Sequence, residues 1–248
     1  CTYRCNQVKK GMSNKSILCL SDTHFPYEHP QYFSWIKKVK DHIKCDTVIH
    51  IGDLVDFHSI SQWLHSAELP NIKYEIEDAK RRIKKLRKIF PMPMRICRGN
   101  HDIRIEKMAE RASMPASFVK GLNDILEIDK SWKWTWHDKF IEILPNGNQV
   151  YFTHHFKSNV LQSSKELGMS LVVGHMHTVA GINWYSSPLA LNFAMCVGCS
   201  INPKHEAFKY SKNYIKRPII SVGAIVKNQP VLYTMPMDNK GQWTGKVS

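Results

Sequence analysis

Five short polar segments, each following a run of apolar residues, constrain the fold of this chain more than any other feature. Short, uninterrupted apolar runs are typical of buried β-strands. The runs are Ile17–Leu20, Val48–Ile51, Met94–Cys97, Val150–Phe152 and Leu171–Val173. The polar segments are Asp22-Thr23-His24, Gly52-Asp53-Leu54-Val55-Asp56, Gly99-Asn100-His101-Asp102, His154-His155 and Gly174-His175-Met176-His177. Because the strands of an α/β sheet deliver the residues that follow them to a common edge, we expect these side chains to meet there.

The chemistry of the five segments indicates a pair of metal ions. They combine carboxylates, imidazoles and an amide, and mixed nitrogen and oxygen donors in this number suit two divalent transition metals better than one zinc or one calcium. Two ions about 3.5–4 Å apart activate a water and neutralise charge on phosphoryl oxygens, which are the two requirements of phosphoester hydrolysis. The sequence therefore predicts a metal-dependent enzyme.

In order and spacing, the segments resemble the calcineurin-like metallophosphoesterases. That family's pattern is D-x-H, G-D-x-x-D, G-N-H-[DE], a histidine and G-H-x-H, and every element is matched between Asp22 and His177. The resemblance implies an α/β class fold, a four-layer α/β/β/α sandwich of two facing mixed sheets flanked by helices. We place the domain at residues 15–236, between a loose N-terminal segment, 1–14, and a loose C-terminal tail, 237–248.

The resemblance also implies a ligand for each position around two ions. Asp53 would bridge the ions, and six further residues would complete their shells: Asp22, His24 and His177 at one ion, and Asn100, His154 and His175 at the other. Asp22 and His24 are two residues apart, as are His175 and His177. In an extended segment this spacing places both side chains on one face.

The fourth segment leaves a choice open, because the family has one histidine there and this chain has two. The resemblance favours His154 as the ligand, because it follows the strand end with the spacing of the family's Thr-His, and His155 would then point away from the metals. His155 remains the alternative.

His101 is expected to act on the substrate instead of binding a metal. The resemblance implies that it protonates the departing oxygen while a hydroxide held between the ions attacks phosphorus in line. An imidazole suits this task because its pKa lies near the working pH. Asp56 would orient the His101 ring, and Asp102 would brace the turn.

Three residues near His101 are candidates for substrate binding. Asn100 is one, in addition to its expected metal. Arg98 and Arg104 flank the motif, and a guanidinium can bind a phosphate through two hydrogen bonds. The alternative for each arginine is a structural ion pair.

The formal net charge of +14 favours a polyanionic partner, because such a field concentrates polyanions at the surface. Its alternative role is solubility. The segment Lys80–Lys88 has seven cations in nine residues, on a surface for nucleic acid or on a solvated helix face. The segment Lys204–Arg217 mixes cations with aromatic residues, as a groove that stacks bases does, or as a loop packed on a sheet would.

These features favour a phosphodiesterase or nuclease that acts on nucleic acid or nucleotide. The alternative is a phosphomonoesterase, acting on phosphoprotein or small molecules. Protein phosphatases of the superfamily carry an arginine after the second aspartate of G-D-x-x-D, where this chain has Phe57. An alternative of another class is a basic nucleic-acid-binding protein with a vestigial metal site. The stretch 52–61 also resembles phosphoesterases of bacteriophage genomes.

The remaining features suggest a cytoplasmic protein, in the host cytoplasm if it is phage-encoded. No apolar run approaches the roughly 20 residues of a membrane span, and we expect no membrane association and no signal peptide. Seven irregularly spaced cysteines argue for reduced thiols. Manganese is the expected metal, although iron, zinc and nickel also accept such ligands. The sequence identifies no protein partner.

Overall fold

The computed structural model of the protein describes residues 16–61, 71–188, 190–205 and 217–247. Within these ranges the strands form a six-stranded and a five-stranded sheet. In spatial order the first sheet contains β11 (Gln229–Thr234), β10 (Ser221–Val226), β1 (Ile17–Leu20), β2 (Thr47–His50), β3 (Met94–Cys97) and β4 (Trp134–His137). The second contains β5 (Lys139–Ile143), β6 (Gln149–Thr153), β7 (Ser170–Val173), β9 (Leu191–Cys196) and β8 (Gly181–Ser186).

Helices cover the outer faces of both sheets. They are α1 (Tyr32–Ile43), α2 (Ile72–Ile89), α3 (Arg104–Arg111), α4 (Leu122–Ile125) and α5 (Val160–Leu167). One apolar cluster joins α1 and α2 to the first sheet, a second fills the space between the sheets, and a third joins α5 to the second sheet. This is the four-layer α/β/β/α arrangement, and the predicted fold class is confirmed.

Strand β1 shows why the apolar runs are uninterrupted. Leu18 and Leu20 point to the cluster beneath the helices, whereas Ile17 and Cys19 point to the cluster between the sheets. Successive side chains of a strand alternate between its two faces, so a strand buried on both faces needs apolar residues throughout. Parallel pairing of β1 with β2, β2 with β3 and β3 with β4 then aligns the ends of these strands.

The two long helices begin and end close to the predicted positions. The sequence predicts α1 at 31–43, and it lies at Tyr32–Ile43, with Trp35 and Val39 buried. The sequence predicts α2 at 74–90, and it lies at Ile72–Ile89. It starts earlier because the side chain of Asn71 accepts hydrogen bonds from the backbone N–H groups of the first turn, which caps the helix.

Four of the seven cations of Lys80–Lys88, namely Lys80, Arg81, Arg82 and Lys84, are paired with acidic residues. Lys80 Nζ lies 2.8 Å from both Glu77 Oε1 and Glu127 Oε1, and Arg81 Nη2 lies 2.9 Å from Asp78 Oδ1. Exposed pairs of this kind add little to stability, but they reduce the positive charge of the helix face. This favours the interpretation of Lys80–Lys88 as an outer helix face over that of a nucleic-acid surface.

One predicted helix and the predicted tail differ from the structure. A helix expected at 117–125 is instead the short 3-10 helix Ala116–Phe118 followed by α4, because Gly121 separates them in an extended conformation. Residues 237–247, expected to be loose, fold back on α1. Trp243 N donates to Gln31 Oε1 at 2.7 Å and Lys38 Nζ donates to Gly245 O at 3.0 Å.

Several predictions fall partly outside the described residues. These are the N-terminal segment 1–14, most of the cation and aromatic segment 204–217, and most of residues 56–71, which the sequence predicts to form a long connection before α2. In the ranges that are described, no helix has both the length and the apolar character needed to cross a bilayer.

Candidate dinuclear metal centre

All five polar segments meet at one edge of the sandwich. Asp22, Asp53 and Asn100 follow β1, β2 and β3 of the first sheet, while His154 and His175 follow β6 and β7 of the second. Since the two sheets face each other, the ends of strands from both sheets bring these side chains together. The convergence predicted from the strand ends is therefore what the structure shows.

The first group of potential ligands contains Asp22, His24, Asp53 and His177. One donor atom from each lies within 4.8 Å of the others. His24 Nε2 is 3.7 Å from Asp22 Oδ1 and 3.6 Å from Asp53 Oδ2, and His177 Nε2 is 3.1 Å from Asp22 Oδ1. Four donors at these separations can surround one cation.

The second group contains Asp53, His154 and His175, again within 4.8 Å of one another. Asn100 Oδ1 lies 2.9 Å from His175 Nδ1 and 3.2 Å from His154 Nε2, so the amide oxygen joins this group. Asp53 is common to both groups, as the expected bridging ligand has to be. His155 lies outside, with its ring centroid 4.5 Å from that of His175, so the geometry selects His154.

The donor atoms fit divalent cations because their lone pairs face one another. His24 Nδ1 lies 2.7 Å from Asp56 Oδ1 and His154 Nδ1 lies 3.0 Å from the Ile51 carbonyl, contacts that assign the N–H to Nδ1. The Nε2 atoms of both rings then face the site, and His24 Nε2 is only 3.1 Å from His177 Nε2. Ligating histidines characteristically donate their second N–H in this way.

The buried carboxylate of Asp53 also indicates a site for cations. Among the described residues Asp53 Oδ2 makes no hydrogen bond, although its side chain is 1% exposed. Burial acts to raise the pKa of Asp53, but the charges of His154 and His101 outweigh burial and lower it. Cations in the site would neutralise this carboxylate.

Protons can occupy the same lone pairs. Burial acts to lower the pKa of His24, yet hydrogen bonds with Asp22 and Asp56 raise it to about 10. At His154 burial likewise acts to lower the pKa, but the charge of Asp53 outweighs burial and raises the pKa to about 9. Without metals, protons on these two rings balance the carboxylates, and binding an ion requires their release.

The backbone of the D-x-H and H-x-H segments does not have the expected conformation. Asp22, His24, Asp53 and His175 have φ values of 47°, 46°, 52° and 68°, in the left-handed region. The backbone at these positions is left-handed, so the expected extended geometry at Asp22–His24 and His175–His177 is wrong. Strained backbone of this kind is characteristic of functional sites, where the surrounding structure has to hold it.

Asp102 provides much of that support. Its carboxylate accepts hydrogen bonds from the N–H groups of Gly99, Asp53, Leu54 and Val55, at 2.8, 2.9, 3.0 and 3.3 Å. The expected bracing of the turn is thus extended to the loop after β2. Residue 99 has to be glycine because a Cβ there would collide with the carboxylate and backbone nitrogen of Asp53.

Sequence reasoning missed a buried histidine that also supports the Asp53 loop. His50 Nδ1 accepts from Gly52 N at 3.2 Å, and its Nε2 lies 3.0 Å from Thr23 Oγ1, which donates to Leu54 O. Burial lowers the pKa of His50 to about 3, so the ring stays neutral. The available signal was a histidine in an otherwise apolar strand directly before Gly52-Asp53.

His101 lies beside the candidate metal ligand Asp53 and contacts Asp56. Its Nδ1 is 2.6 Å from Asp56 Oδ1, the orienting contact expected for that aspartate. Its Nε2 is 3.9 Å from Asp53 Oδ2. Asp56 is thereby shared, because the same Oδ1 also contacts His24.

The two arginines differ. Arg104 Nη1 donates to the carbonyls of Asp56 and Phe57 at 2.8 and 3.2 Å, and Nη2 lies 3.2 Å from His101 Nε2, so Arg104 belongs to the site. Arg98 lies 3.1 Å from Glu106 and 2.8 Å from Asp138. Its substrate-binding role is not supported, because its guanidinium is engaged by carboxylates.

The site opens beside His101. The side chains of His177 and His101 are 27% and 14% exposed, whereas those of Asp22 and His24 are fully buried. A ligand reaches the metal groups from the side where the imidazoles of His177 and His101 are exposed. Two ligand groups sharing a carboxylate, with a histidine at the opening, define a dinuclear hydrolase site.

Comparison with known proteins agrees with this class. Residues 15–199 match the family model for the calcineurin-like phosphoesterases, and the chain belongs to that family. The family uses divalent metal ions, and the protein is a metal-dependent hydrolase of phosphoester bonds.

Individual relatives are more distant. Over 185 residues the chain is 26% identical to the Gene 54 protein of Mycobacterium phage L5, an overlap of 66% of this chain and 69% of the phage protein. The crystal structure of Vps29 from Chaetomium thermophilum aligns with 94% of this chain and 95% of its own, at 13% identity and a TM-score of 0.48. Yfce, a phosphoesterase from E. coli, aligns at 92% and 96% coverage, 14% identity and a TM-score of 0.42.

We expect Asp53→Asn to lose bound metal, because an amide cannot supply a charged oxygen to both ligand groups. Elemental analysis after incubation with manganese and desalting measures the stoichiometry. Asp138→Asn, an exposed aspartate outside both groups, is the matched control and should retain metal. Stoichiometric metal in Asp53→Asn would contradict the bridging role.

Metal affinity should rise with pH beyond the range of a free imidazole. Ions have to displace protons from His24 and His154, whose raised pKa values keep the rings protonated at neutral pH, so affinity increases up to about tenfold per pH unit for each displaced proton. Competition with a chelator at several values between about pH 6.5 and 8.5 measures this. Affinity that levels off near pH 6.5, the ordinary histidine pKa, would contradict it.

Proposed function

We propose that the protein is a phosphodiesterase that cleaves nucleic acid or a nucleotide, with manganese as the favoured pair of ions. The carrying observation is that Asp53 belongs to both ligand groups while His101 stands at the opening beside it. When bound, two divalent ions supply a nucleophile at neutral pH and neutralise charge on the phosphoryl group. The ligands would be Asp22, His24, Asp53, Asn100, His154, His175 and His177.

The residues around His101 hold it for proton transfer. Asp56 contacts Nδ1 and fixes the plane of the ring, so that Nε2 faces the opening where a leaving oxygen would depart. A positioned histidine of this kind acts as a general acid. Asn100 would contact substrate as well as metal, because its amide lies at the same opening.

The hydrogen bonds of Arg104 would change when substrate binds. A guanidinium only donates hydrogen bonds, so its contact with His101 Nε2 requires a lone pair on that nitrogen. When Nε2 carries the proton for transfer, Arg104 Nη2 needs another acceptor. A phosphate oxygen would provide one, which combines the predicted substrate contact with a role in positioning His101.

The diester preference is supported by charge and by residue 57. The net charge of +14 suits a polyanionic substrate. Phe57 is 1% exposed and packs in the core, so the position that carries an arginine in protein phosphatases of the superfamily provides no cation here. Carboxylates pair with Lys80, Arg81, Arg82 and Lys84 and so reduce the positive charge that α2 could offer to nucleic acid.

The setting of this activity follows from the similarity to a phage protein. We propose a phage-encoded enzyme that works in the host cytoplasm. The name of that relative gives no substrate, so the substrate proposal depends on the site and the charge alone.

His101→Asn should retain metal and lose turnover by about two orders of magnitude or more, because a general acid contributes about 10²–10⁴-fold. Turnover of a phosphodiester reporter and metal content are measured on the same sample. His155→Asn is the control, since it removes a neighbouring imidazole that lies outside both ligand groups. Near-normal turnover in His101→Asn would exclude His101 from proton transfer.

A substrate panel tests the proposal itself. With manganese, we expect faster turnover of bis(p-nitrophenyl) phosphate than of p-nitrophenyl phosphate, together with degradation of single- or double-stranded DNA. Binding to DNA should weaken steeply with salt as counterions are released. A preference for the monoester would favour the phosphomonoesterase, and DNA binding without any turnover would favour a binding protein with a vestigial metal site.

A further inference from the structure

The chain takes a left-handed conformation directly after Asp56, and segment 56–59 is held from two sides. Phe57 has a φ of 49° and a ψ of 43°, and the 3-10 helix His58–Ile60 follows it. Left-handed backbone at a bulky residue is strained, so surrounding groups have to maintain it. On one side Arg104 Nη1 does so, because it donates to the carbonyls of Asp56 and Phe57 at 2.8 and 3.2 Å.

Glu75 of α2 holds the segment from the other side. Its Oε1 accepts from His58 N at 2.6 Å, and its Oε2 accepts from Ser59 N at 2.9 Å and from Ser59 Oγ at 2.5 Å. The first N–H groups of a helix have no partner within that helix. A carboxylate from α2 therefore caps the 3-10 helix, as the side chain of an N-cap residue does elsewhere.

The Glu75 carboxylate is buried and engaged by this segment. Its residue is 1% exposed, and burying a charged group is costly unless hydrogen bonds compensate. Burial raises the pKa of Glu75, while the hydrogen bonds from Ser59 and His58 act to lower it. Both carboxylate oxygens thus accept from the segment, and its backbone cannot move without breaking these hydrogen bonds.

The support reaches His101 through Asp56. His101 Nδ1 lies 3.0 Å from the backbone carbonyl oxygen of Asp56 as well as 2.6 Å from Asp56 Oδ1. Only Phe57 separates Asp56 from His58, and His58 Nδ1 also lies 3.5 Å from Asp56 Oδ2. The hydrogen bonds of Glu75 therefore restrict where the carbonyl and carboxylate of Asp56 lie. A displaced Asp56 would turn the imidazole of His101 and move its Nε2.

We infer that Glu75 is a positioning residue for proton transfer by His101, acting through the segment that contains Asp56. No hydrogen bond joins Glu75 to any of the candidate metal ligands, all of which are among the described residues. The inference rests on the proposed function in one respect, because it requires His101 to act as the general acid. It does not depend on whether the ester belongs to a nucleic acid.

The leaving group of the substrate separates this role from general structural support. p-Nitrophenolate departs without a proton, whereas the more basic phenolate gains more from a general acid. We expect Glu75→Gln to lower kcat about tenfold on diphenyl phosphate, a part of the roughly 10²–10⁴-fold that a general acid contributes, and less on bis(p-nitrophenyl) phosphate. The reason is that glutamine accepts through one oxygen only, so one of the two N–H groups loses its partner. KM and metal content should not change, and the corresponding monoesters replace the diesters if they are the better substrates.

Three further variants complete the experiment. Glu77→Gln changes a glutamate of the same helix that is 52% exposed and paired with Lys80, and it should leave kcat on both esters unchanged. Ser59→Ala removes one donor to Glu75 without altering α2. It should show the same leaving-group dependence to a smaller extent, and it serves as the test if Glu75→Gln does not fold. In the His101→Asn background Glu75→Gln should cause no further loss, because the group that it positions is absent.

Unchanged kcat in Glu75→Gln, an equal loss on both esters, or a further loss in the His101→Asn background would overturn the inference. His101→Asn by itself tests the proposed function. Near-normal turnover of diphenyl phosphate in that variant would refute the general acid and with it the role of Glu75. Loss of turnover in His101→Asn with normal turnover in Glu75→Gln would refute the positioning role and leave the general acid standing.

Discussion

The mutual repulsion of buried acceptors around Asp53 governs the structure of the site. Carboxylate oxygens, an amide oxygen and bare imidazole nitrogens converge there in a volume from which water is largely excluded. Such an arrangement is unfavourable until positive charge enters it. The protein tolerates it because each donor is held from behind, His24 by Asp56 and His154 by the Ile51 carbonyl.

Hydrogen bonds from residues that are not themselves candidate ligands hold the strained backbone of the site in place. Asp102 collects N–H groups from the loops after β2 and β3, and His50 together with Thr23 ties the loop after β2 to the loop after β1. These contacts fix backbone instead of side chains. The ligand positions are consequently set by hydrogen bonds that do not use the candidate ligand atoms, which is the form of preorganisation that catalysis requires.

The fold and the convergence of the candidate ligands could be predicted from sequence because both follow from local pattern. Buried strands require uninterrupted apolar runs, and the residues after parallel strands share an edge, so the apolar runs alone place Asp22, Asp53 and Asn100 together. What could not be predicted depends on conformation. The left-handed backbone at Asp22 and His24 could not be predicted, because only glycine indicates such a conformation in a sequence. The ion pairs of Arg98 could not be predicted either, because they depend on which exposed side chains the fold brings close to it.

The same limit applies to the ends of the domain and to the substrate. Residues 237–247 carry few apolar residues, yet Trp243 and Val247 pack on the apolar cluster beneath α1, and hydrogen bonds with Gln31 and Lys38 hold the segment there. The dense run of cations on α2 suggested a surface for nucleic acid, but its acidic partners include Glu127, distant in sequence. Net charge is a property of the whole chain, and its distribution is decided by the fold.

The origin of the ligands in both sheets has a mechanical consequence. The loops of the first sheet supply Asp22, Asp53 and Asn100, and those of the second supply His154, His175 and His177. Ions bound among these residues would therefore connect the two sheets at this edge. Ions that bind only the folded chain add to its stability in proportion to the logarithm of their concentration. Supply of metal would thus raise the free energy of unfolding as well as the activity.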